Sequence, residues 1–310
     1  MTWDEVLRRR LDLMAECFPA LRRDVDIAAM TTYRVGGAAA GFLEVADEDE
    51  LARIVDFLVS EPIAVLLIGN GSNLLVADAG FAGLALHLSE AFGEVVIDGT
   101  VVRAGAAAPL PVVARRTALA GLTGFEWAVG VPGTVGGAVR MNAGGHGSDI
   151  ARCLLRVRVV DLHSGEDEVV PASGLDLRYR HSNLRSEQLV VCADLGLRNG
   201  DPSQSLEAIA GIVKWRRENQ PGGQNAGSVF ANPEGDSAGR LIDAAGCKGL
   251  RIGSAEVSPK HANFFQADEG GSADDIYRLM SEVRRRVLEQ TGTSLEAETR
   301  LVGFDGEDRR

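Results

Sequence analysis

The sequence predicts an α+β protein of two or three lobes, on three observations. The chain has 310 residues, more than one typical domain and enough to enclose a ligand of some size. A helical apolar period followed by a buried strand occupies residues 50–69, whereas from residue 84 onward β-branched runs and a hairpin signal dominate. Glycine makes up 37 of the 310 residues, about 12%, against a usual ~7%. Much of the backbone must therefore turn tightly or approach something closely.

Taken in order, Thr2 and Glu5 form a capping box, and Val6, Leu7, Leu11 and Met14 recur at helical spacing, so the chain opens with a helix. In "DELARIVDFL", Leu51, Ile54, Val55 and Leu58 fall at i, i+3, i+4 and i+7, a second amphipathic helix. "IAVLLIG" (63–69) is a buried strand ending at glycine. "EVVIDGTVVRAG" is two β-branched runs joined by Asp98-Gly99, the strongest short hairpin signal. A helix starts near Pro109 with Val112, Val113 and Leu119 assigned to its buried side. "LLRVRVVDLHSGEDEVV" and "LVVCADLGL" add strands with largely antiparallel pairing. A new helix begins in "DPSQSLEAIAGIVKWRRENQ", and "QPGGQNAG" after it is irregular. Helices at 237–246 and 273–290 follow, the latter with Ile276, Met280, Val283 and Val287 on one face. "SLEAETRLVGF" is a last strand and "DGEDRR" a frayed tail. The expected division is 1–86, 87–203, 204–292, and a terminal segment 293–310.

A formal charge of −12 excludes a nucleic-acid-binding surface, which needs a basic stripe. Between Leu206 and Phe265, however, seven basic residues meet six acidic ones, so this block is the candidate pocket for a small anion. The four cysteines are widely spaced, without CxxC or metal-ligand spacing, and read as buried reduced thiols. No stretch reaches the ~18 apolar residues of a membrane span, and the N-terminal residues lack a signal-peptide core. A cytoplasmic protein is expected.

Two glycine-rich loops stand out. "IGNGSNLLV" follows a strand, but Leu74 stands where a dinucleotide fingerprint needs its third glycine, and "NLLV" reads as another strand. "VGVPGTVGGAVRMNAGGHG" places Gly130, Gly133, Gly136, Gly137, Gly144 and Gly145 within 16 positions. Such density either makes tight turns between core elements or lets backbone N–H groups face an anion such as a pyrophosphate. In "NAGSVFANP", Ser228 stands among small residues and stays open between turn residue, helix cap and proton donor.

The blocks "TTYRVGG", "IGNGSNLLVADAGFAGL", "GFEWAVGVPGTVGGAVRMNAGG", "YRHSNL", "NAGSVFANP" and "KGLRIGSAEVSPKHANF" occur in an order and spacing that resembles the UDP-N-acetylenolpyruvoylglucosamine reductase (UDP-N-acetylmuramate dehydrogenase) family, from about Thr31 to Gly303. Ser228 lies 48 positions after Arg180 (228 − 180 = 48), as in the shorter type II form, which lacks an extra substrate-covering loop. The resemblance implies the two-lobed flavin fold of vanillyl-alcohol-oxidase (PCMH) type plus a C-terminal α+β substrate domain. It implies FAD held between the first two lobes, non-covalently because "GNGSN" has no histidine, and NADPH as hydride-donating co-substrate. The other partner implied is the enolpyruvyl ether of UDP-N-acetylglucosamine, with no nucleic acid, no metal, no membrane insertion and a monomeric state.

By the same resemblance, Ser228 is the proton donor, and Arg180 and Glu298 are the other catalytic positions. Arginine keeps its charge in a desolvated site and offers a planar fork to the carboxylate of an enolate. Glu298 works as a neutral acid, which predicts a raised pKa. Glu296 is its competitor, because alternation puts 296 and 298 on one face. The cofactor set is Tyr33, Gly69, Asn70, Gly71, Ser72, Asn73, Gly130, Pro132, Gly133, Thr134, Gly136, Gly137, Asn142, Ala143 and Gly144. The substrate set is Tyr179, Arg217, Asn232, Arg240, Lys260, His261 and Asn263. Two positions depart from the family pattern: Thr299 replaces a valine, and Ala231 stands where relatives often carry a basic residue, which leaves Arg217, Arg240 or Lys260 to meet a phosphate. Other readings are another flavin oxidoreductase of this fold, or a silent nucleotide-sugar-binding relative.

Overall fold

Parallel pairing requires a crossover, and the first lobe is built on one. The computed structural model describes residues 4–304, so Thr2 and the DGEDRR tail lie outside the described residues. Strand Ala38–Val45 leads through helix Glu48–Ser60 to strand Val65–Ile68, and Phe81–Leu88 lies between the two strands, parallel to both. Arg22–Asp26 adds an antiparallel edge with alternating exposure. Asp47 starts the crossover helix by accepting from the Glu50 N–H at 2.8 Å. Its Leu51, Ile54, Val55 and Leu58 pack with Leu7, Leu11 and Met14 of helix Glu5–Cys17. The cap of that first helix is Asp4, which accepts from the Leu7 N–H at 2.7 Å, and Val6, counted in its apolar period, is exposed.

The second lobe is a five-stranded antiparallel sheet in the order Asp167–Pro171, Leu154–Asp161, Gln188–Gly196, Val101–Gly105, Val95–Asp98. Asp98 pairs with Val101, so the tight turn is Gly99-Thr100, and Gly99 takes the left-handed φ of +56° that glycine permits. Helix Leu110–Leu119 buries Leu110, Val113, Ala114, Thr117 and Ala118. Val112 and Leu119 were expected on that face but are 45% and 65% exposed, because the buried stripe follows i, i+3, i+4 from Leu110 and they lie off it. Helix Pro202–Asn219 packs on this lobe through Ile209, Leu206 and Ile212, although the sequence assigned it to the third.

The third lobe combines a three-stranded sheet, Arg251–Ile252, Ala255–Val257 and Phe265–Ala267, with helices Ala238–Ala244 and Ala273–Thr291. Ile276, Met280, Val283 and Val287 of the long helix are buried as expected. Of the expected last strand only Arg300–Val302 is regular, and it pairs in parallel with Leu74–Val76 beside the first glycine loop. All four cysteines are free; Cys153 and Cys247 are buried, but Cys17 is exposed at the end of the first helix. Burial pushes the Cys153 thiol up to about 12. Among the described residues no helix is long and apolar enough to cross a membrane.

Candidate active site

The two glycine loops meet face to face. The first leaves strand Val65–Ile68 as Gly69–Asn73, and the second runs from the turn Glu126–Gly130 into the short helix Val135–Arg140. Asn70 Nδ2 donates to the Pro132 carbonyl at 3.0 Å, and a Cβ on Gly69 would stand 2.7 Å from Thr134 Oγ1. Gly71 has φ +57°, and a Cβ there would meet the Met30 carbonyl oxygen at 2.0 Å, so the sharp turn requires glycine. Between and beside the loops lies a cleft of about 960 Å³, and an adjoining cavity of about 460 Å³ shares Gly69, Asn70, Thr134, Gly137 and Arg140 with it.

Most of the expected cofactor set lines this space. Gly69, Asn70, Gly71, Ser72, Asn73, Gly130, Pro132, Gly133, Thr134, Gly137, Ala143 and Gly144 line the cleft, and Gly136 lines the smaller cavity. Tyr33 and Asn142 do not. Tyr33 is fully buried with Val35, Leu75 and Phe230 in the core under the third lobe. Its hydroxyl faces Thr299 and Ala226 without a hydrogen bond of good geometry, and burial raises its pKa. Asn142 is buried and spends its side chain on backbone, donating to the Arg178 carbonyl at 2.8 Å and accepting from the Ala151 N–H at 2.9 Å. Asn73 lines the cleft, yet its amide donates to the Glu298 carbonyl at 3.0 Å.

The three expected catalytic residues come from distant parts of the chain and line the same cleft. Ser228 bridges Phe264, and the next residue ties both flanking segments together: the Val229 N–H donates to the Asn263 carbonyl at 2.9 Å, and the Val229 carbonyl accepts from the Glu298 N–H at 2.8 Å. Arg180, at a left-handed φ of +54°, donates from Nε to Glu298 Oε1 at 2.5 Å and from a terminal nitrogen to the Gly144 carbonyl at 3.0 Å. Burial raises the pKa of Glu298, against the lowering pull of the Arg180 charge and hydrogen bond. Glu296 is exposed, with its carbonyl accepting from the Ala231 N–H, and of the two carboxylates that periodicity could not separate Glu298 is the one lining the cleft.

The expected substrate set divides. His261 and Asn232 line the cleft; Asn232 Oδ1 accepts from the Ala238 N–H at 3.0 Å, and His261 packs edge-on to Phe264 at 4.7 Å. The other five do not line it. Tyr179 is 54% exposed beneath the Arg180 guanidinium. Arg217 is exposed, and its carbonyl accepts from Lys260 Nζ at 2.8 Å. Arg240 pairs with Asp236. Asn263 is buried with both amide atoms on the Phe230 backbone.

Of the seven cations in the near-neutral block, Arg216 is the one on the cleft. Its Nε donates to Gln220 Oε1 at 2.8 Å, and burial lowers its pKa. The signal was present: residue 216 follows buried Ile209 by seven positions, two helical turns, whereas 217 points away. Arg140, Arg300, Trp215 and His146 also line the cleft and were missed. Burial, aided by Arg300, lowers Arg140 to about 10. His146 meets Trp215 edge-on at 5.2 Å, and burial with Arg216 lowers its pKa.

Residues 39–169 match the model of an FAD binding domain, and residues 219–302 match that of the UDP-N-acetylenolpyruvoylglucosamine reductase C-terminal domain. The chain is 41% identical over 288 residues to UDP-N-acetylenolpyruvoylglucosamine reductase of Rubrobacter xylanophilus, covering 92% of this chain and 96% of that protein. The chain belongs to the UDP-N-acetylenolpyruvoylglucosamine reductase family. A second member of that family, from Synechococcus sp. strain WH7803, is 42% identical over 93% of this chain and 95% of its own length. A crystal structure of UDP-N-acetylenolpyruvylglucosamine reductase from Thermus caldophilus superposes with a TM-score of 0.79 at 35% identity, covering 91% of this chain and 99% of that one.

The residues of the cleft fit FAD. Gly145 and Gly227 line it with no heavy atom within 4 Å of where a Cβ would stand, so side chains there would fill space that is open. Arg140 and Arg300 supply positive charge along a cleft whose lining also includes Leu67, Ile68, Leu74, Phe81 and Leu110, which suits a flat apolar ring joined to a pyrophosphate.

Proposed function

We propose that this chain reduces the enolpyruvyl ether of UDP-N-acetylglucosamine to UDP-N-acetylmuramate, a step of peptidoglycan precursor synthesis, using non-covalent FAD and NADPH. The observation that carries this reading is the convergence of Ser228, Arg180 and Glu298 on the cleft lined by both glycine loops. When bound, the flavin supplies a hydride relay from the nicotinamide to the terminal alkene carbon of the sugar ether.

The chain's own residues handle the charge and the proton. Hydride arrival leaves negative charge on the neighbouring carbon, delocalised into the substrate carboxylate as an enolate. Arg180, anchored on the Gly144 carbonyl, turns its fork of donors to that carboxylate. Glu298, kept a weak acid by burial, donates to the enolate oxygen as a neutral carboxyl; an ionised one would repel it. Ser228 delivers the proton to carbon, and the alkoxide left on it takes a proton back from water before the next turnover. A hydroxyl is a poor acid, so this delivery requires close approach, and Gly227 beside it, at φ +76° with no heavy atom within 4 Å of where a Cβ would stand, leaves that approach clear. Arg216, oriented by Gln220, meets the diphosphate, and Asn232 and His261 border the nucleotide sugar. One chain supplies every group, so a monomer suffices, and the cytoplasm, where NADPH and nucleotide sugars are made, is the matching compartment.

The test is spectroscopic. The purified protein reconstituted with FAD is expected to be yellow, to bleach with NADPH in the absence of oxygen, and to regain its colour when the enolpyruvyl sugar is added. A protein that takes up no FAD, or whose bleached flavin ignores that sugar, contradicts the assignment.

A further inference from the structure

The block "NLLVADAGFAGL" continues past the cleft, and its Asp78 does not line the site. Asp78 instead crosses from the first lobe to the N-terminus of the 19-residue helix Ala273–Thr291 of the third. Its Oδ1 accepts from the Ala273 N–H at 2.9 Å, and its Oδ2 accepts from the Asp274 N–H at 3.3 Å and from the Ser272 hydroxyl. Asp274 returns the contact by accepting from the Asp78 N–H at 3.2 Å. The opening N–H groups of a helix have no partner within it. Here the helix's own cap, Ser272, serves the Asp275 N–H, and the two N–H groups before it are satisfied from another lobe by a carboxylate at the positive end of the helix.

The same short segment grips the terminal segment, which packs into the core of the third lobe through Leu301, at a second point. Asn73 donates to the Glu298 carbonyl at 3.0 Å and accepts from the Arg300 N–H at 3.0 Å. Leu74–Val76 then runs parallel to Arg300–Val302, and the Ala77 N–H donates to the Val302 carbonyl at 2.9 Å. From the far grip, contact passes through the helix to the sheet it packs on, where Phe265 is a core member, and Phe264 bridges Ser228.

We propose that residues 73–78 form a two-point clamp in which Asp78 is a positioning residue, fixing helix Ala273–Thr291 on the first lobe and thereby setting where Ser228 and Glu298 stand relative to the loop Gly69–Asn73. This rests on the assignment of those two residues to the reduction step. A clamp of this kind affects only the half-reaction that needs both lobes in register, and a displacement of about an ångström there costs on the order of a hundredfold in rate.

The experiment compares Asp78→Ala and Asp78→Asn with wild type as full-length holoprotein. In Asp78→Ala, FAD content and NADPH bleaching are expected to stay within about twofold, while reoxidation by the enolpyruvyl sugar slows about tenfold or more. Amide hydrogen exchange at Ala273 and Asp274 quickens. Asp78→Asn keeps one acceptor oxygen and falls between. Equal losses in both half-reactions, or quickened exchange with reoxidation untouched, overturn the proposal. Should Asp78→Ala fail to accumulate, Asp78→Asn decides alone: a ratio of reoxidation to bleaching below wild type supports the clamp, and an unchanged ratio refutes it. Failure of the functional assignment shows separately, as a wild-type flavin that the sugar does not reoxidise.

Discussion

Two arginine–carboxylate pairs in this molecule share an Nε contact and behave oppositely, Arg240 gripping both oxygens of Asp236 while Arg180 reaches one oxygen of Glu298 and gives a terminal nitrogen to the Gly144 carbonyl. In each, an arginine Nε donates to a carboxylate oxygen, at 2.6 Å from Arg240 to Asp236 and at 2.5 Å from Arg180 to Glu298. The Arg240 hydrogen bond pulls Asp236 down to about 2, whereas burial holds Glu298 above the usual glutamate range despite Arg180. Water makes the difference. At the solvent-facing start of helix Ala238–Ala244 both charges keep their hydration and the neighbour's attraction decides. In the cleft the carboxylate loses solvation that one guanidinium does not restore. The same pairing therefore yields a permanent anion at the surface and a titratable acid in the site.

Glu298→Ala gives the largest expected effect that sharpens this contrast, a loss of about a hundredfold or more in flavin reoxidation by the sugar. Glu298→Gln, which still donates a hydrogen bond, should retain more activity than the alanine variant. It should also lose the limb of the pH profile that falls as pH rises through the Glu298 pKa. Stability carries the same sign. Because the folded pKa is raised, the unfolded chain releases this proton first, so wild type loses stability from the ordinary glutamate pKa upward until the folded group ionises. Across that window the melting temperature of Glu298→Gln should gain on wild type; a gap that stays flat with pH would show that Glu298 is not held as a weak acid.

A smaller effect separates Arg216 from Arg217. Arg216→Ala should weaken UDP binding, followed by flavin fluorescence, by about tenfold, the scale of one charge-assisted contact, and Arg217→Ala by no more than about twofold. Equal effects would mean that the helix turns on ligand binding. The smallest effect belongs to the surface pair: Asp236→Asn should leave turnover and melting temperature within experimental scatter, since exposed pairs add little. A clear loss would make Arg240 part of the binding site after all.

Local patterns in the sequence were informative wherever local physics governs. The crossover helix at Leu51–Leu58, the hairpin around Gly99 and the long helix with Ile276 and Val287 inside are all observed. The glycine loops line one cleft as the family resemblance implied, where composition alone left tight turns and an anion cradle open. Outcomes set by partners far along the chain were not legible. Nothing near Tyr33 signals that Phe230 and Thr299 will enclose it, and nothing near Asn73 signals that its amide will hold the Glu298 backbone, 225 positions away. Residue types alone show Arg240 and Asp236 as opposite charges four positions apart, and only the folded helix start shows that they satisfy each other. Arg216, in contrast, shares the helical phase of buried Ile209, which Arg217 does not.

The central claim is that Ser228 delivers a proton in the second half-reaction and takes no part in the first. Rapid-mixing absorbance of Ser228→Ala holoprotein tests it directly, with NADPH in one experiment and the enolpyruvyl sugar added to prereduced flavin in the other. Bleaching at the wild-type rate with reoxidation slowed by orders of magnitude is the predicted result, and parallel loss in both, or reoxidation at the wild-type rate, would contradict it.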